Sequence, residues 1–387
     1  MARVLYWFRT DLRLHDSPAL DAALKLQPEC LLPVWTWDPH YVLHARVGVN
    51  RWQFLLDSQR VLSDHLTKVN LRQKLLVVRG KPLRILEALV KRCKITHLVF
   101  EMDTDTYARS RDQDVMHAMK NTGVEVIVRS GRTLWDPNDM IRVHEHTVPK
   151  TVNAVKNASE KLGPPPRPLK TPTSLPDPVD IGEDFDVPMD EDGEDVNAEQ
   201  RKDRLRSYER ACGPLGDFST PTFEELGLKE ATSPHRGGEE RAVQQLDEYT
   251  SDARRTATFS KPQTAPTTFL PPATTNLSAH LHFGCLGIRQ FYWRVKEVVK
   301  EFKGTASSFP QISKANCCFA RCTFVRRPGG RTMSRWRATI TAGKSTGRCA
   351  ISTMKRVSAL GCTRTRRRND GLRLGSGVAP AFHGLMR

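Results

Sequence analysis

Nine short segments alternate between apolar runs and amphipathic runs across the first 140 residues, and that alternation admits few folds. Val4 to Phe8, Cys30 to Thr36, Leu75 to Arg79, His97 to Glu101 and Val124 to Val128 are strand-like. Between them, Ser17 to Leu26, Arg51 to Val69, Leu83 to Cys93 and Ser110 to Thr122 carry the helical period. The second of these places Trp52, Leu55, Leu56, Leu62 and Leu66 on one face. Apolar strands separated by helices predict an α/β fold: a doubly wound parallel sheet covered on both faces. No G-x-G-x-x-G or Walker sequence opens any of the helices, so a standard dinucleotide or NTP phosphate loop is not expected.

The pattern changes after residue 162. Gly163 to Pro168 reads GPPPRP, Ser174 to Pro178 reads SLPDP, and Gly182 to Asp195 is strongly acidic, which predicts a solvated connection, extended where proline is dense. Helical periodicity returns at Glu239 to Asp252 and Ile288 to Phe302. From Gln311 onward neither period is sustained, and the segment is not expected to fold. The chain of 387 residues has a net charge of +17, which suggests a nucleic-acid partner, yet residues 311–387 alone hold 17 basic residues against one acidic, Asp370. The other 310 residues are nearly neutral. Five of the nine cysteines also fall in this tail, and Cys317, Cys318 and Cys322 lack a second ligand pair, so no metal site is expected. Arg364 to Arg368 taken alone is like a nuclear-import or nucleic-acid patch. No apolar run is long enough to cross a bilayer, and Met1 to Phe8 leads directly into a charged stretch instead of a leader pattern. The expected location is therefore the nucleus or the cytoplasm, with reduced thiols and no membrane partner.

Two constellations carry potential chemistry. FRTDLRLHD, Phe8 to Asp16, sets cations against acids at the carboxyl end of the first strand. It fits a salt-bridged loop holding the sheet edge better than a ligand site. ATTNLSAHLHFG, Ala273 to Gly284, joins a hydroxyl cluster to an apolar helical run. Thr274, Thr275 and Ser278 are expected first as helix caps, although free N–H groups at a helix start also accept phosphate. His280 and His282 lie on different helix faces, which argues against a metal pair. Phe291, Tyr292 and Trp293 are expected in the core more than as a base-stacking platform.

Four segments together carry a resemblance. YWFRTDLRLHDSPAL (Tyr6 to Leu20), PHRGGEERAVQQLDEY (Pro234 to Tyr249) and TTNLSAHLHFGCLGIR (Thr274 to Arg289) resemble, in order and distance, the landmarks of the photolyase/cryptochrome family. GVEVIVRSGRTLWDPNDMI (Gly123 to Ile141) is similar to the branch containing six-four photolyases and animal-type cryptochromes. The resemblance implies an N-terminal α/β antenna domain at 1–144, with an antenna chromophore of folate or deazaflavin type. It implies a linker at 145–220 and the beginning of an all-α FAD-binding domain at 221–310. Light-driven electron transfer from FAD to UV-damaged DNA is the implied activity, with a blue-light signalling cryptochrome as the alternative; protein partners are unknown. By position, Thr274, Thr275, Asn276, Leu277 and Ser278 match the segment that holds the flavin phosphates, which raises the ligand reading above capping. The chain departs from the pattern at Ala279, often Pro, and Gly287, often Ser. Glu101 and Asp103 face the antenna side in the family pattern, though acids at a strand end are expected to be solvated.

After Pro310 the resemblance stops, and the genetic code supplies the reason. When the third base of each codon is read with the first two of the next, choosing among synonymous codons, Lys314 to Phe324 rereads as G-Q-L-L-F-R-E-M-Y-F. Arg335 to Gly347 rereads as M-E-G-N-D-Y-C-R-K-I-D-W, and Gly375 to Arg387 as K-W-G-R-T-G-F-P-W-I-D-A. These match the family's flavin-contacting segments in one constant shifted frame. The sequence therefore implies a frameshift between about Ser307 and Gln311, with 311–387 an out-of-frame basic tail. As printed, the chain lacks the segments that would enclose the flavin ring, so the catalytic residues are unknown and no activity is expected. The remaining reading takes the tail literally, as a basic nucleic-acid-binding arm.

Overall fold

The five apolar runs become five parallel strands in a computed structural model that describes residues 1–39, 47–182, 184–187, 210–229, 231–259 and 274–305. They are β1 (Arg3–Phe8), β2 (Cys30–Trp37), β3 (Leu76–Arg79), β4 (His97–Glu101) and β5 (Glu125–Arg129), in the order β3-β2-β1-β4-β5. The chain winds outward from β1 to β3, then returns to the other side of β1 for β4 and β5. Val4 pairs with both Leu31 and His97, so β1 is the centre of the sheet. Helices α1 (Pro18–Lys25), α2 (Val49–Val69), α3 (Pro82–Cys93) and α4 (Thr106–Asn121) cover it. Val4, Tyr6 and Phe8 join one core with α1 and α2, while Leu5 and Trp7 join a second with α3 and α4. Burial on both faces explains why the strands read as continuous apolar runs rather than alternating ones.

Local signals fix the helix starts. Ser17 Oγ accepts the Leu20 N–H and Pro18 takes the first helical position, where its missing donor costs nothing. Asp105 does the same for α4 through Tyr107 N and Ala108 N. All five apolar residues spaced along α2 are buried, at about 1.5–3 kcal/mol per large aliphatic or aromatic side chain. Two further helices, α5 (Pro137–Val143) and α6 (Val152–Leu162), precede the proline-rich stretch.

That stretch corrects an expectation. It is extended, but the described residues of 163–187 are not a solvated connection: Leu175, Ile181, Phe185 and Val187 are buried. Leu31 N donates to Asp177 O, Gln73 Nε2 to Pro176 O and Asp16 N to Leu169 O. Proline supplies an extended backbone with few donors to satisfy, so the segment lies against the domain as a strap, with Leu175 in the first core and Ile181, Phe185 and Val187 in the second. Composition marks the segment as non-helical; it carries no sign of what the few apolar residues touch. Most of the acidic stretch lies outside the described residues, as do 311–387 and the calls made on them.

Helices α7 (Glu239–Ser251), α8 (Ala253–Ala257), α9 (Ser278–Phe283) and α10 (Ile288–Glu301) follow. Leu246, Tyr249, Phe291 and Val295 are buried in the same core as α1 and α2. Phe291 is core as expected, whereas Tyr292 and Trp293 are half-buried. The Trp293 ring lies under the Arg167 guanidinium at 3.7 Å and its Nε1 donates to Pro166 O, so the tryptophan fastens the strap to α10. No helix among the described residues is long and apolar enough to cross a membrane.

Candidate functional site

The topological switch point of this sheet lies between the carboxyl ends of β1 and β4, where open α/β sheets commonly bind ligands. Here the loop after β1 sends Arg9, Asp11, Arg13, His15 and Asp16 inward, all buried. Arg9 bonds Asp112 and the Glu101 carbonyl while its guanidinium covers the Trp7 and Phe100 rings. Arg13 Nη2 donates to Glu101 Oε1 at 2.9 Å and Nη1 to Gly284 O at 3.1 Å. The structure supports the salt-bridged reading of FRTDLRLHD and extends it. These groups hold the later helices as well as the sheet edge.

Several contacts make that attachment. Glu239, the first residue of α7, accepts N–H bonds from Leu14 (2.9 Å) and His15 (3.0 Å), and a further bond from His15 Nδ1. Since Gly287 N donates to His15 Nε2, the imidazole proton sits on Nδ1 and faces Glu239. Arg289 on α10 pairs with Asp16, and Leu12 N donates to Phe283 O at 3.2 Å. Gly284 closes the turn after α9 at φ +72°, and any Cβ there would overlap the Thr10 carbonyl oxygen, so both conformation and space require glycine. Glu239 was legible only as a helix start; its role as the acceptor of a loop 224 residues away leaves no local trace.

Glu101 and Asp103 depart from the solvated reading, for both are buried. Burial raises the Asp103 carboxyl, but Arg132, Arg9 and the Asp105 and Thr104 N–H groups outweigh it and hold it down at about 2. Burial dominates at Glu101 and pushes it up to about 7. The two carboxylates look alike in the sequence and differ in the cations that fold against them.

Thr274 to Ser278 form one tight turn. Thr274 Oγ1 donates to Asn276 Oδ1 at 2.9 Å, and Asn276 is left-handed at φ +55°, a conformation asparagine tolerates. Gln245 of α7 donates to Thr275 O and Arg255 of α8 to Thr274 O, while Leu277 is fully buried as the anchor. The residue capping α9 is Leu277, which offers no side-chain bond, so the hydroxyls are not the helix caps that sequence reasoning expects first. Thr275 Oγ1 instead receives Leu277 N at 3.4 Å, and Ser278 is exposed. The result is a backbone turn carrying hydroxyls beside a guanidinium, groups of the kind that bind phosphate. His280 is buried and His282 Nε2 meets Arg51 Nη2 at 2.6 Å; no cluster that could hold a metal occurs among the described residues.

Residues 4–173 match the family model described as DNA photolyase. The (6-4)DNA photolyase of Arabidopsis thaliana is 34% identical over 323 residues, covering 80% of this chain and 52% of that protein. Cryptochrome-2 of Gallus gallus is 31% identical over 314 residues, with 80% and 48% covered. The chain belongs to the photolyase/cryptochrome family. It spans about half the length of the curated photolyase and cryptochrome relatives it matches. The fold agrees with a solved Synechocystis cryptochrome at TM-score 0.60 and 20% identity, covering 83% of this chain and 60% of that one. A photolyase from Sulfolobus tokodaii, solved with two FAD molecules, matches at TM-score 0.53 and 19% identity, covering 81% and 58%.

Proposed function

We propose that the gene behind this chain encodes a light-driven flavoprotein that repairs UV-induced pyrimidine photoproducts in DNA, and that the chain as printed is its first half followed by an out-of-frame tail. The observation that carries the reading is the run of family segments through Arg289 continued by in-frame family motifs in the shifted register of 314–387. The similarity to the plant (6-4)DNA photolyase supports the substrate class. The proposed domain limits are 1–144, 145–220 and 221–310.

The Thr274–Ser278 turn fits the phosphate end of FAD. Thr274, Thr275 and Ser278 supply hydroxyls, the backbone supplies N–H groups, and Arg255 lies against the Thr274 carbonyl to offset negative charge. Gln245 and Leu277 orient the turn, from α7 and from the core. When bound, the flavin supplies the light-excited electron donor; a flipped, poorly stacked lesion is the acceptor such chemistry needs. The ring of the flavin would fall to residues beyond 305, outside the described set. The reading extends to an antenna chromophore of folate or deazaflavin type in the N-terminal domain, on family grounds alone.

Similarity to cryptochromes favours a second reading, blue-light signalling without repair. The two separate on one experiment with the frame-restored protein and an oligonucleotide carrying a six-four photoproduct. The repair reading expects lesion loss under blue light and none in the dark. Photoreduction of the flavin without lesion loss would instead assign the signalling role.

A further inference from the structure

Tyr6, Asp11, Arg13, Asp16, Glu101 and Arg289 pack together beneath the α9–α10 turn, each less than a tenth exposed. Three carboxylates thus face two guanidiniums. Around them Arg132 is held by Asp103, and Arg9 shares Asp112 with Arg111 and turns to the Glu101 carbonyl, making no hydrogen bond to the Glu101 carboxylate. An uncompensated buried charge costs more than taking up a proton.

The hydrogen bonds identify the carboxylate that takes it. Asp16 pairs with Arg289 and accepts Leu169 N at 3.1 Å. Asp11 accepts Arg9 N at 2.6 Å and Tyr6 Oη at 2.9 Å. Glu101 has Arg13 on Oε1 alone; its Oε2 is buried with no partner, and so is Arg13 Nε. Gly131 presses against the same carboxyl group, where any Cβ would overlap it, so no water or donor reaches it from that side. Arg13 Nη2 also lies 3.5 Å from the Gly131 carbonyl, so it is shared between that oxygen and Glu101 Oε1.

We propose that this cluster binds one proton in the folded protein near neutral pH, on Glu101, and that the proton strengthens docking of the α9–α10 turn on the sheet. Arg13 is the link, since it joins Glu101 to Gly284 O and to the Asp16 carbonyl at once. Burial, opposed by Arg13 and reinforced by Asp11 and Asp16, raises Glu101 from 4.5 to about 7, which agrees with the geometry. A carboxyl raised on folding favours the folded state at low pH and loses that contribution as pH rises through its folded value.

The test is urea unfolding of the full chain from pH 4 to 8.5, for the unmodified protein and for Glu101→Gln. The displacement from 4.5 to about 7 corresponds to a fall in the folding equilibrium constant of up to about 300-fold across this range, absent in the variant. A merely structural Glu101 predicts parallel curves, which would overturn the proposal. Should Glu101→Gln fail to fold, carboxyl NMR of the ¹³C-glutamate-labelled unmodified protein decides: one glutamate titrating near 7 supports the proposal, and all titrating below pH 5.5 overturns it.

Discussion

Purified from cells, the printed chain is expected to be colourless, and the same chain with its frame restored near codons 307–311 is expected to carry about one FAD per polypeptide. On the proposed reading the Thr274–Ser278 turn, held by Gln245, Arg255 and Leu277, takes the phosphate end of the flavin. A phosphate end without a ring site gives little: tight ligand binding needs most of the ligand surface enclosed, with only a few polar groups fixing orientation. On the proposed reading, arginine-rich sequence stands in the printed chain where that enclosure would be encoded. Blue absorbance of the purified proteins, with flavin released by denaturation, measures the ratio. Stoichiometric flavin on the printed chain would contradict the account. Equal and low flavin on both proteins would overturn the frame assignment.

Replacing Glu239 by alanine is expected to cost about 3–5 kcal/mol of unfolding free energy, because it strands buried donors of Leu14 and His15 that the carboxylate now accepts. Burial raises this carboxyl, but hydrogen bonds from His15 and His65 outweigh it and hold it well below the usual range. The sign follows: a depressed carboxyl stabilises the fold above its unfolded value and loses that contribution as pH falls toward its folded one. Denaturation at pH 7 should therefore show a large loss for Glu239→Ala, shrinking in acid. Glu240→Ala is the control, since its carboxylate is exposed beside Lys68 and His65 and such pairs are screened. Similar losses for the two variants would remove Glu239 as the attachment of α7.

The sheet was readable because its information is local. Apolar runs of strand length, the spacing of Trp52 to Leu66 and Ser17 before Pro18 each act within a turn or two, and each forms the element expected. The attachments are non-local. His15 to Glu239, Asp16 to Arg289 and Leu12 to Phe283 join positions more than 200 residues apart, so no period or motif records them. For the same reason Glu101 and Asp103 read alike, although one meets Arg13 alone and the other meets Arg132 with two N–H groups. The strap misled because proline density reports backbone conformation and not burial. The hydroxyl cluster is visible in the residues themselves and only its ligand reading comes from the resemblance, while its geometry, a turn anchored by Leu277 and not a helix cap, required the fold.

Net charge is the feature whose meaning changed most. The basic excess belongs to residues 311–387, so a DNA substrate rests on the family likeness and not on the net charge.

The most direct test of the central claim is the nucleotide sequence of the gene and its transcript across the codons for Ser307 to Arg387. The account predicts one insertion, deletion or misassigned splice junction between codons 307 and 311. Beyond it a single continuous register should encode G-Q-L-L-F-R-E, M-E-G-N and G-R-T-G-F-P-W-I-D. Codons in which those three motifs do not appear in any one shifted register would contradict it.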